Sequence, residues 1–189
     1  MENIFHGLGI ALVTPFKLNG EIDYDALEKL IEYQLENGAD FFTILATTGE
    51  CPCLSAEEKE KLTETIISVV SGRAPILKYC GGNNTAAVVE EIKQTNWKGI
   101  DGILSICPYY NKPSQEGLYQ HFKAIAETSS LPIVLYNVPG RTGVNMKAET
   151  TVRIANDFPN IVAIKEAAGS LEQVDEIIKN KPKHFEVIS

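Results

Sequence analysis

The chain has 189 residues, enough for one sizeable hydrophobic core or two small ones. Hydrophobic residues make up 44% of the chain and charged residues 22%, which is typical of a soluble globular domain. The formal net charge is −8 and no basic stripe is present, which argues against nucleic-acid binding.

Neither a membrane span nor a signal peptide is expected. No apolar run approaches the roughly 18 residues that a span requires. Residues 1–6 lack a charged n-region and an apolar h-region. The four cysteines are Cys51, Cys53, Cys80 and Cys107, and Cys51-Pro52-Cys53 lacks zinc-site spacing. Buried, reduced thiols in a cytoplasmic protein are the favoured interpretation.

Strand-like and helix-like segments alternate along the whole chain. Short apolar strands are predicted at residues 7–16, 41–46, 74–80, 102–107, 132–138, 161–167 and 184–189. Amphipathic helices are predicted between them, and Ser55 and Ser170 each begin a capping-box pattern. Successive strands start about 23 to 34 residues apart, the spacing of a βα repeat.

This repeat predicts a parallel α/β fold, best fitted by a (β/α)8 barrel. A doubly wound sheet is the alternative, but no glycine-rich dinucleotide or P-loop motif follows any strand. Residues 1–189 are expected to form a single barrel-type domain. Only about six βα units and the start of a seventh strand can be counted, so the C-terminal part of the barrel is expected to be missing. A chain that ends at Ser189 is then expected to be inactive.

Lys165 lies inside the apolar, β-branched run 161–167, which is typical of a buried parallel strand. Burial there would lower the pKa of the lysine ammonium and give an amine able to form a Schiff base with a carbonyl substrate. The alternative is a lysine that reaches water at the strand end or pairs with Glu166. On the strand alone that alternative is favoured, because lysine is almost never fully buried unless paired.

Polar side chains also follow other predicted strands, at the barrel end where function is expected. Thr47 and Thr48 precede a glycine and offer hydroxyl and backbone donors suited to a small carboxylate, with an ordinary turn as the alternative. Tyr109 and Tyr110 lie between two prolines in a stiff loop. One of these tyrosines could pack at a subunit contact while the other points into a site.

Tyr136 lies late in its strand, where the phenol could act in proton transfer. Arg141 follows on a glycine-flanked loop suited to bidentate carboxylate binding, with a plain surface arginine as the alternative. Together, an amine, two phenols, paired threonine hydroxyls and an arginine predict carbonyl chemistry on a keto acid through a lysine Schiff base.

The segments that carry a family resemblance are residues 9–16 (GIALVTPF), 47–50 (TTGE), 108–119 (PYYNKPSQEGLY), 136–143 (YNVPGRTG) and 164–167 (IKEA). With these motifs the chain resembles the dihydrodipicolinate synthase family, within the larger group that includes N-acetylneuraminate lyase. The resemblance covers the whole chain, and the motifs at 136–143 and 164–167 are highly specific in this order.

The resemblance implies condensation of pyruvate with aspartate semialdehyde in lysine and diaminopimelate biosynthesis, with no cofactor beyond a covalent lysine imine. Lys165 would form that imine and Tyr136 would donate and accept protons. Thr47, and Tyr110 from a neighbouring subunit, would complete a proton relay. Thr48 would hold the pyruvate carboxylate and Arg141 the semialdehyde carboxylate. A cytoplasmic homo-oligomer, either a dimer or a tetramer, is implied.

Three alternatives remain open. N-acetylneuraminate lyase or a 2-keto-3-deoxy-sugar-acid aldolase would use the same imine, although Arg141 favours the synthase. A non-catalytic remnant or binding module would follow from an incomplete barrel. A metal-dependent aldolase has little support, because His6, His121 and His184 show no ligand spacing.

Overall fold

The computed structural model describes residues 4–189. The chain divides into two compact units, each built of parallel strands and helices. The first unit comprises residues 4–79 and 97–101, and the second comprises residues 80–96 and 102–189.

The first unit contains three parallel strands, two helices and two short 3-10 turns. The strands are β1 (Gly9–Ala11), β2 (Phe41–Ile44) and β3 (Ile76–Tyr79), and the helices are α1 (Tyr24–Glu36) and α2 (Ala56–Val70). The strands are neighbours in the order β1-β2-β3. The predicted helix starts are confirmed: Asp23 caps α1, and Ser55 and Glu58 form a complete capping box on α2.

The second unit contains four parallel strands in the order β4-β5-β6-β7. Its elements are α3 (Thr85–Gln94), β4 (Gly102–Ile106), α4 (Gln115–Thr128), β5 (Ile133–Asn137), α5 (Pro139–Thr142), α6 (Ala148–Asp157), β6 (Ile161–Glu166), α7 (Leu171–Asn180) and β7 (Glu186–Ile188). Neither unit reverses its strand order, which agrees with the predicted parallel α/β fold rather than with a doubly wound sheet.

The central strands are almost wholly buried. Every residue of β2, β4 and β5 is buried, and β6 is buried except at Lys165. Near-continuous apolar strands are typical of parallel sheets covered on both faces. Each fully buried aliphatic side chain contributes roughly 1.5–3 kcal/mol, so the strand positions are firmly fixed.

Three local predictions were wrong. The first predicted strand shrinks from residues 7–16 to Gly9–Ala11, and Phe16 instead pairs antiparallel with Ile22 in a small hairpin. Residues 139–142 form the helical turn α5 rather than a loop, with proline at its start where no N–H is needed. The capping box at Ser170 is only half formed, because the Gln173 side chain bonds elsewhere.

The predicted burial of all four cysteines was also wrong in part. Cys80 and Cys107 are buried, but Cys51 is half-buried and Cys53 is exposed on a 3-10 turn. Among residues 4–189, no helix combines the length and apolarity that crossing a membrane requires. That residues 1–189 form one barrel domain stays a prediction.

Candidate active site

Lys165 is the fifth residue of the six-residue strand β6 and its only incompletely buried member. Burial lowers the pKa of the Lys165 ammonium below its ordinary value, because desolvation disfavours the charged form. Within residues 4–189 no carboxylate forms an ion pair with this amine. The predicted desolvated lysine is therefore present, and the suggested pairing with Glu166 is absent.

Tyr136 lies beside Lys165 on the neighbouring strand. The two residues are paired in register between β5 and β6, and Lys165 Nζ lies 4.7 Å from the centroid of the Tyr136 ring. Tyr136 is only 5% exposed. The half-buried amine can act as a nucleophile, and the buried phenol in contact with it can transfer protons.

A second polar row runs across the same strands one residue further along. Asn137 is paired in register with Glu166, and both side chains are buried. Because strand side chains alternate between faces, these two point away from the face that carries Tyr136 and Lys165. Asn137 Nδ2 lies 3.1 and 3.0 Å from the two Glu166 carboxylate oxygens.

Cys107 extends this buried row onto the segment after β4. Its thiol donates to Asn137 Oδ1 over 3.8 Å. Burial raises the pKa of the Cys107 thiol to about 12, and the charge of Glu166 adds to the rise. The thiol therefore stays protonated at neutral pH and acts as a weak donor rather than as a nucleophile.

Arg141 lies on the short helix α5 and is exposed. The turn is closed by bonds from Arg141 N and Thr142 N to the Val138 carbonyl, and it ends at Gly143 with a positive φ of 74°. The guanidinium is thus held on a well-defined turn while remaining free to meet an anion from solvent.

Tyr110 belongs to the same neighbourhood but is 86% exposed. Its backbone N–H donates to the Thr142 carbonyl over 3.2 Å, which ties its loop to α5. Tyr110 and Lys112 both have positive φ, of 70° and 48°, an uncommon backbone conformation for residues other than glycine. The loop therefore presents the Tyr110 phenol outward, and Asn111 fixes it further by donating to the Asn83 carbonyl.

Thr47 and Thr48 belong to the first unit, on a 3-10 turn that ends at Gly49. Thr47 is half-buried and Thr48 is exposed. Thr14 Oγ1 donates to the Gly49 carbonyl over 2.7 Å, and a Cβ on Gly49 would lie 3.1 Å from the Leu12 carbonyl oxygen. The turn is thus anchored close to the backbone that follows β1, and a side chain at Gly49 would make a tight contact with that backbone.

The structure therefore brings four of the six predicted site residues into one unit: Lys165, Tyr136, Arg141 and Tyr110. Lys165 and Tyr136 are in direct contact, and Tyr110 is linked to the Arg141 turn through the backbone. Sequence reasoning missed the buried partners Asn137 and Glu166. The period-two alternation of strand side chains indicates that each faces away from its reactive neighbour, but it does not give the strand register that pairs them.

The histidines give no metal centre. Among residues 4–189, no group of three or more His, Cys, Asp or Glu side chains is arranged to hold a metal ion. His121 is buried, its Nδ1 lies 2.8 Å from Thr85 Oγ1, and burial lowers its pKa to about 4. It is a neutral packing residue of α4 rather than a titrating group at neutral pH.

Parallel βα units with a desolvated lysine near the carboxyl end of one strand define the structural class, an α/β-barrel type of protein. The sequence model of the dihydrodipicolinate synthetase family matches residues 4–189, and the chain belongs to that family. The resemblance seen in the sequence is therefore confirmed.

A curated relative, the 4-hydroxy-tetrahydrodipicolinate synthase of Phocaeicola vulgatus, is 60% identical over 183 residues, which are 97% of this chain and 62% of the relative. The crystal structure of dihydrodipicolinate synthase from Thermotoga maritima is 46% identical, covers 98% of this chain and 63% of its own, and superposes with a TM-score of 0.94. A dihydrodipicolinate synthase from Acinetobacter baumannii, solved in complex with pyruvate, is 43% identical with a TM-score of 0.86. It covers 96% of this chain and 62% of its own.

The chain thus spans somewhat less than two thirds of the length of the relatives that it matches. The predicted fold class is confirmed: the seven strands and their helices correspond to part of a (β/α)8 barrel.

Proposed function

We propose that this protein acts as a Schiff-base lyase that condenses pyruvate with L-aspartate 4-semialdehyde to 4-hydroxy-tetrahydrodipicolinate, a step of lysine and diaminopimelate biosynthesis. The observation that carries the proposal is the desolvated Lys165 amine beside the Tyr136 ring. Membership of the family and the relatives named for this activity support it.

The chemistry begins at Lys165. The neutral amine attacks the pyruvate ketone to give a carbinolamine, and loss of water leaves a protonated imine. The imine withdraws electrons, so a proton leaves the pyruvate methyl carbon and an enamine forms. The enamine carbon then attacks the aldehyde of the second substrate, which restores the imine. The amino group of that substrate next attacks the imine carbon, which closes the ring and releases the Lys165 amine. The proposal needs no metal or organic cofactor, because the imine itself stabilises the carbanion.

Tyr136 is the proposed proton donor and acceptor for these steps, since its phenol ring lies next to the amine. Thr47 and Tyr110 are proposed to complete a proton relay, with Tyr110 supplied by a neighbouring subunit. The nearly complete exposure of the Tyr110 phenol supports that role, because it leaves the hydroxyl open to a second subunit. The proposal therefore includes a homo-oligomer, a dimer or tetramer, in the cytoplasm.

Two residues are proposed to bind the substrate carboxylates. Thr48 holds the carboxylate of pyruvate through its hydroxyl and backbone donors, and Arg141 holds that of the semialdehyde. The exposed guanidinium on the fixed α5 turn supports the second assignment. A lyase for a large polyhydroxylated sugar acid would have less use for a cation at this position.

The test is borohydride trapping of the full-length protein with pyruvate, followed by peptide mass analysis. An adduct of pyruvate mass on Lys165 is expected in the parent protein and in the matched control Lys179→Arg, an exposed lysine. Lys165→Arg should give no adduct. Absence of an adduct on Lys165 in the parent would falsify the proposed mechanism.

Substrate choice is tested separately. Protein that forms the trapped adduct on Lys165 should consume aspartate semialdehyde together with pyruvate. It should neither cleave nor form N-acetylneuraminate or 2-keto-3-deoxy-sugar acids. Turnover of a sugar acid that exceeds turnover of the semialdehyde would assign the protein to the alternative branch while leaving the imine in place.

A further inference from the structure

The bond network around Glu166 has no role in the chemistry proposed above, yet it lies directly beside the residues that perform it. Glu166 follows Lys165 in β6, and its register partner Asn137 follows Tyr136 in β5. A strand shift that changes the alignment of Asn137 with Glu166 therefore also shifts Tyr136 relative to Lys165, because the residues of each strand are joined by one peptide unit.

The Glu166 carboxylate is surrounded by hydrogen-bond donors. Oε1 accepts from Ala168 N over 2.8 Å and from Asn137 Nδ2 over 3.1 Å. Oε2 accepts from Gln173 Nε2 over 2.9 Å and from Asn137 Nδ2 over 3.0 Å. Three donor nitrogens thus surround the carboxylate, and Asn137 Nδ2, which also donates to Asn145 Oδ1 over 2.8 Å, is shared between its two oxygens.

The orientation of both donor amides is fixed by their other bonds. Asn137 Oδ1 accepts from Met146 N over 3.0 Å, so its NH2 group must face Glu166. Gln173 Oε1 accepts from Asn145 Nδ2 over 2.8 Å, which directs its NH2 group to the same carboxylate. An acceptor-only group is thus required at the centre, and no neutral amide meets that requirement.

The network joins the segments that carry the proposed site. It connects the end of β5, the end of β6, the start of α7 and the segment Asn145–Met146, which follows the Arg141 turn. A buried charge at 3% exposure costs free energy that an apolar side chain of similar size would not. A mainly stabilising role therefore accounts poorly for an anion at this position.

We infer that Glu166 is a positioning residue, whose hydrogen-bonded carboxylate holds Lys165 and Tyr136 in the alignment that imine formation requires. The inference rests on the proposed function. It assigns Glu166 no contact with substrate and no proton transfer, since its side chain lies on the opposite face of the strand from Lys165.

The decisive variant is Glu166→Gln, which keeps the size but places an NH2 group against fixed donors. Its matched control is Glu172→Gln, which removes the same charge from an exposed position on α7. The measurement is the first-order rate constant for borohydride-trapped pyruvate adduct on Lys165 at saturating pyruvate, in the full-length protein. An unfolded fraction that does not refold during the assay lowers the amplitude of trapping and leaves this rate constant unchanged.

We expect the trapping rate constant and kcat of Glu166→Gln to fall about 10- to 100-fold, because misalignment by a fraction of an ångström to 1 Å has effects of this size. KM for pyruvate should change less than about threefold, since the proposed carboxylate contacts lie elsewhere. Glu172→Gln should behave as the parent does. A parent-like trapping rate constant in folded Glu166→Gln overturns the inference, even if the variant melts at a lower temperature.

A second variant keeps the test decisive if Glu166→Gln does not fold. Gln173→Leu removes one donor at a half-buried position and leaves the carboxylate in place. A slowing of trapping of about threefold or more supports the inference, and a rate constant equal to the parent's contradicts it. If the parent itself forms no adduct on Lys165, the proposed function fails and the inference falls with it, which separates the two failures.

Discussion

The two faces of strands β5 and β6 contrast sharply, although their residues are immediate neighbours in the sequence. On one face, the Lys165 amine has a phenol ring at 4.7 Å and no ion-pair partner among residues 4–189. On the other face, the Glu166 carboxylate accepts hydrogen bonds from three donor nitrogens, one of which is shared between its two oxygens. The Lys165 amine is left available for reaction, whereas the neighbouring Glu166 carboxylate is held by hydrogen bonds.

This contrast shows how a parallel strand separates reactivity from rigidity. Alternating side chains place the reactive amine and its support on opposite faces, one peptide unit apart. A carboxylate on the same face as Lys165 would pair with the ammonium and raise its pKa, which would reduce the fraction of nucleophilic amine. Placing the carboxylate on the opposite face gives the strand a rigid anchor without that cost.

The largest loss of activity is expected when the Lys165 amine is removed from the reactive face. Lys165→Arg keeps a positive charge but cannot form an imine, so kcat/KM with pyruvate and the semialdehyde should fall at least about 1000-fold. The measurement is a coupled steady-state assay of the full-length protein, with Lys179→Arg as the matched control. Activity within tenfold of the parent would show that Lys165 is not the nucleophile.

The next largest loss of activity is expected when the Tyr136 hydroxyl is removed from the same face. Tyr136→Phe keeps the ring beside Lys165 but removes the hydroxyl, so kcat should fall about 100- to 10,000-fold, the usual range for a lost proton-transfer group. Adduct formation on Lys165 should persist at a reduced rate, because the amine remains. The exposed Tyr33→Phe is the control and should retain parent activity. Equal activity of the two variants would remove Tyr136 from the mechanism.

The reactive face could largely be predicted from the sequence, whereas its support could not. Lys165 and Tyr136 stood out because a charged residue and a phenol interrupt apolar strands, and the βα repeat placed both at strand ends. Glu166 and Asn137 look like ordinary polar residues at the point where a strand ends. Their pairing depends on the register of β5 and β6, which places residues 29 apart in the sequence opposite each other and which no local pattern specifies.

The helical turn that carries Arg141 was missed for a related reason. The short segment Pro139–Thr142 contains a proline and a glycine, which locally favour a turn over a helix. The structure closes it through bonds to the Val138 carbonyl and through the Thr142 hydroxyl, which donates to that same carbonyl over 3.2 Å. The turn therefore forms because the backbone leaves β5 in a direction that allows these bonds, and not because its residues favour a helix.

The supporting face can be tested by stability as well as by rate. Glu166→Gln should lower the free energy of unfolding by about 1–3 kcal/mol, the usual cost of a buried polar group left without a partner. Urea unfolding monitored by circular dichroism gives this value, and Glu172→Gln should lie within about 0.5 kcal/mol of the parent. A variant as stable as the parent would show that the side-chain amides around Glu166 can reorient, and that their other hydrogen bonds do not fix their NH2 groups towards residue 166.

The smallest expected effect concerns the charge of Lys165 itself. Burial lowers its pKa in the folded protein below the value in the unfolded chain, so the unfolded state binds more protons between those two pKa values. The free energy of unfolding should therefore rise with pH across that window, while the penalty for the buried ammonium is fully present and constant below it. Adduct formation with pyruvate should increase over the same window as the neutral amine is populated.

Comparison with Lys165→Met isolates the contribution of Lys165 to the pH dependence of the unfolding free energy, because both proteins share every other titrating group. At neutral pH the variant should be at least as stable as the parent, since it no longer buries an unpaired ammonium. The difference in unfolding free energy, parent minus variant, should then grow more favourable to the parent as the pH rises from the lowered pKa of Lys165 towards the ordinary lysine value of 10.5. A difference that stays flat across this range would mean that Lys165 is solvated like a surface lysine, and the two faces of the strand would no longer differ in the way that the proposed chemistry requires.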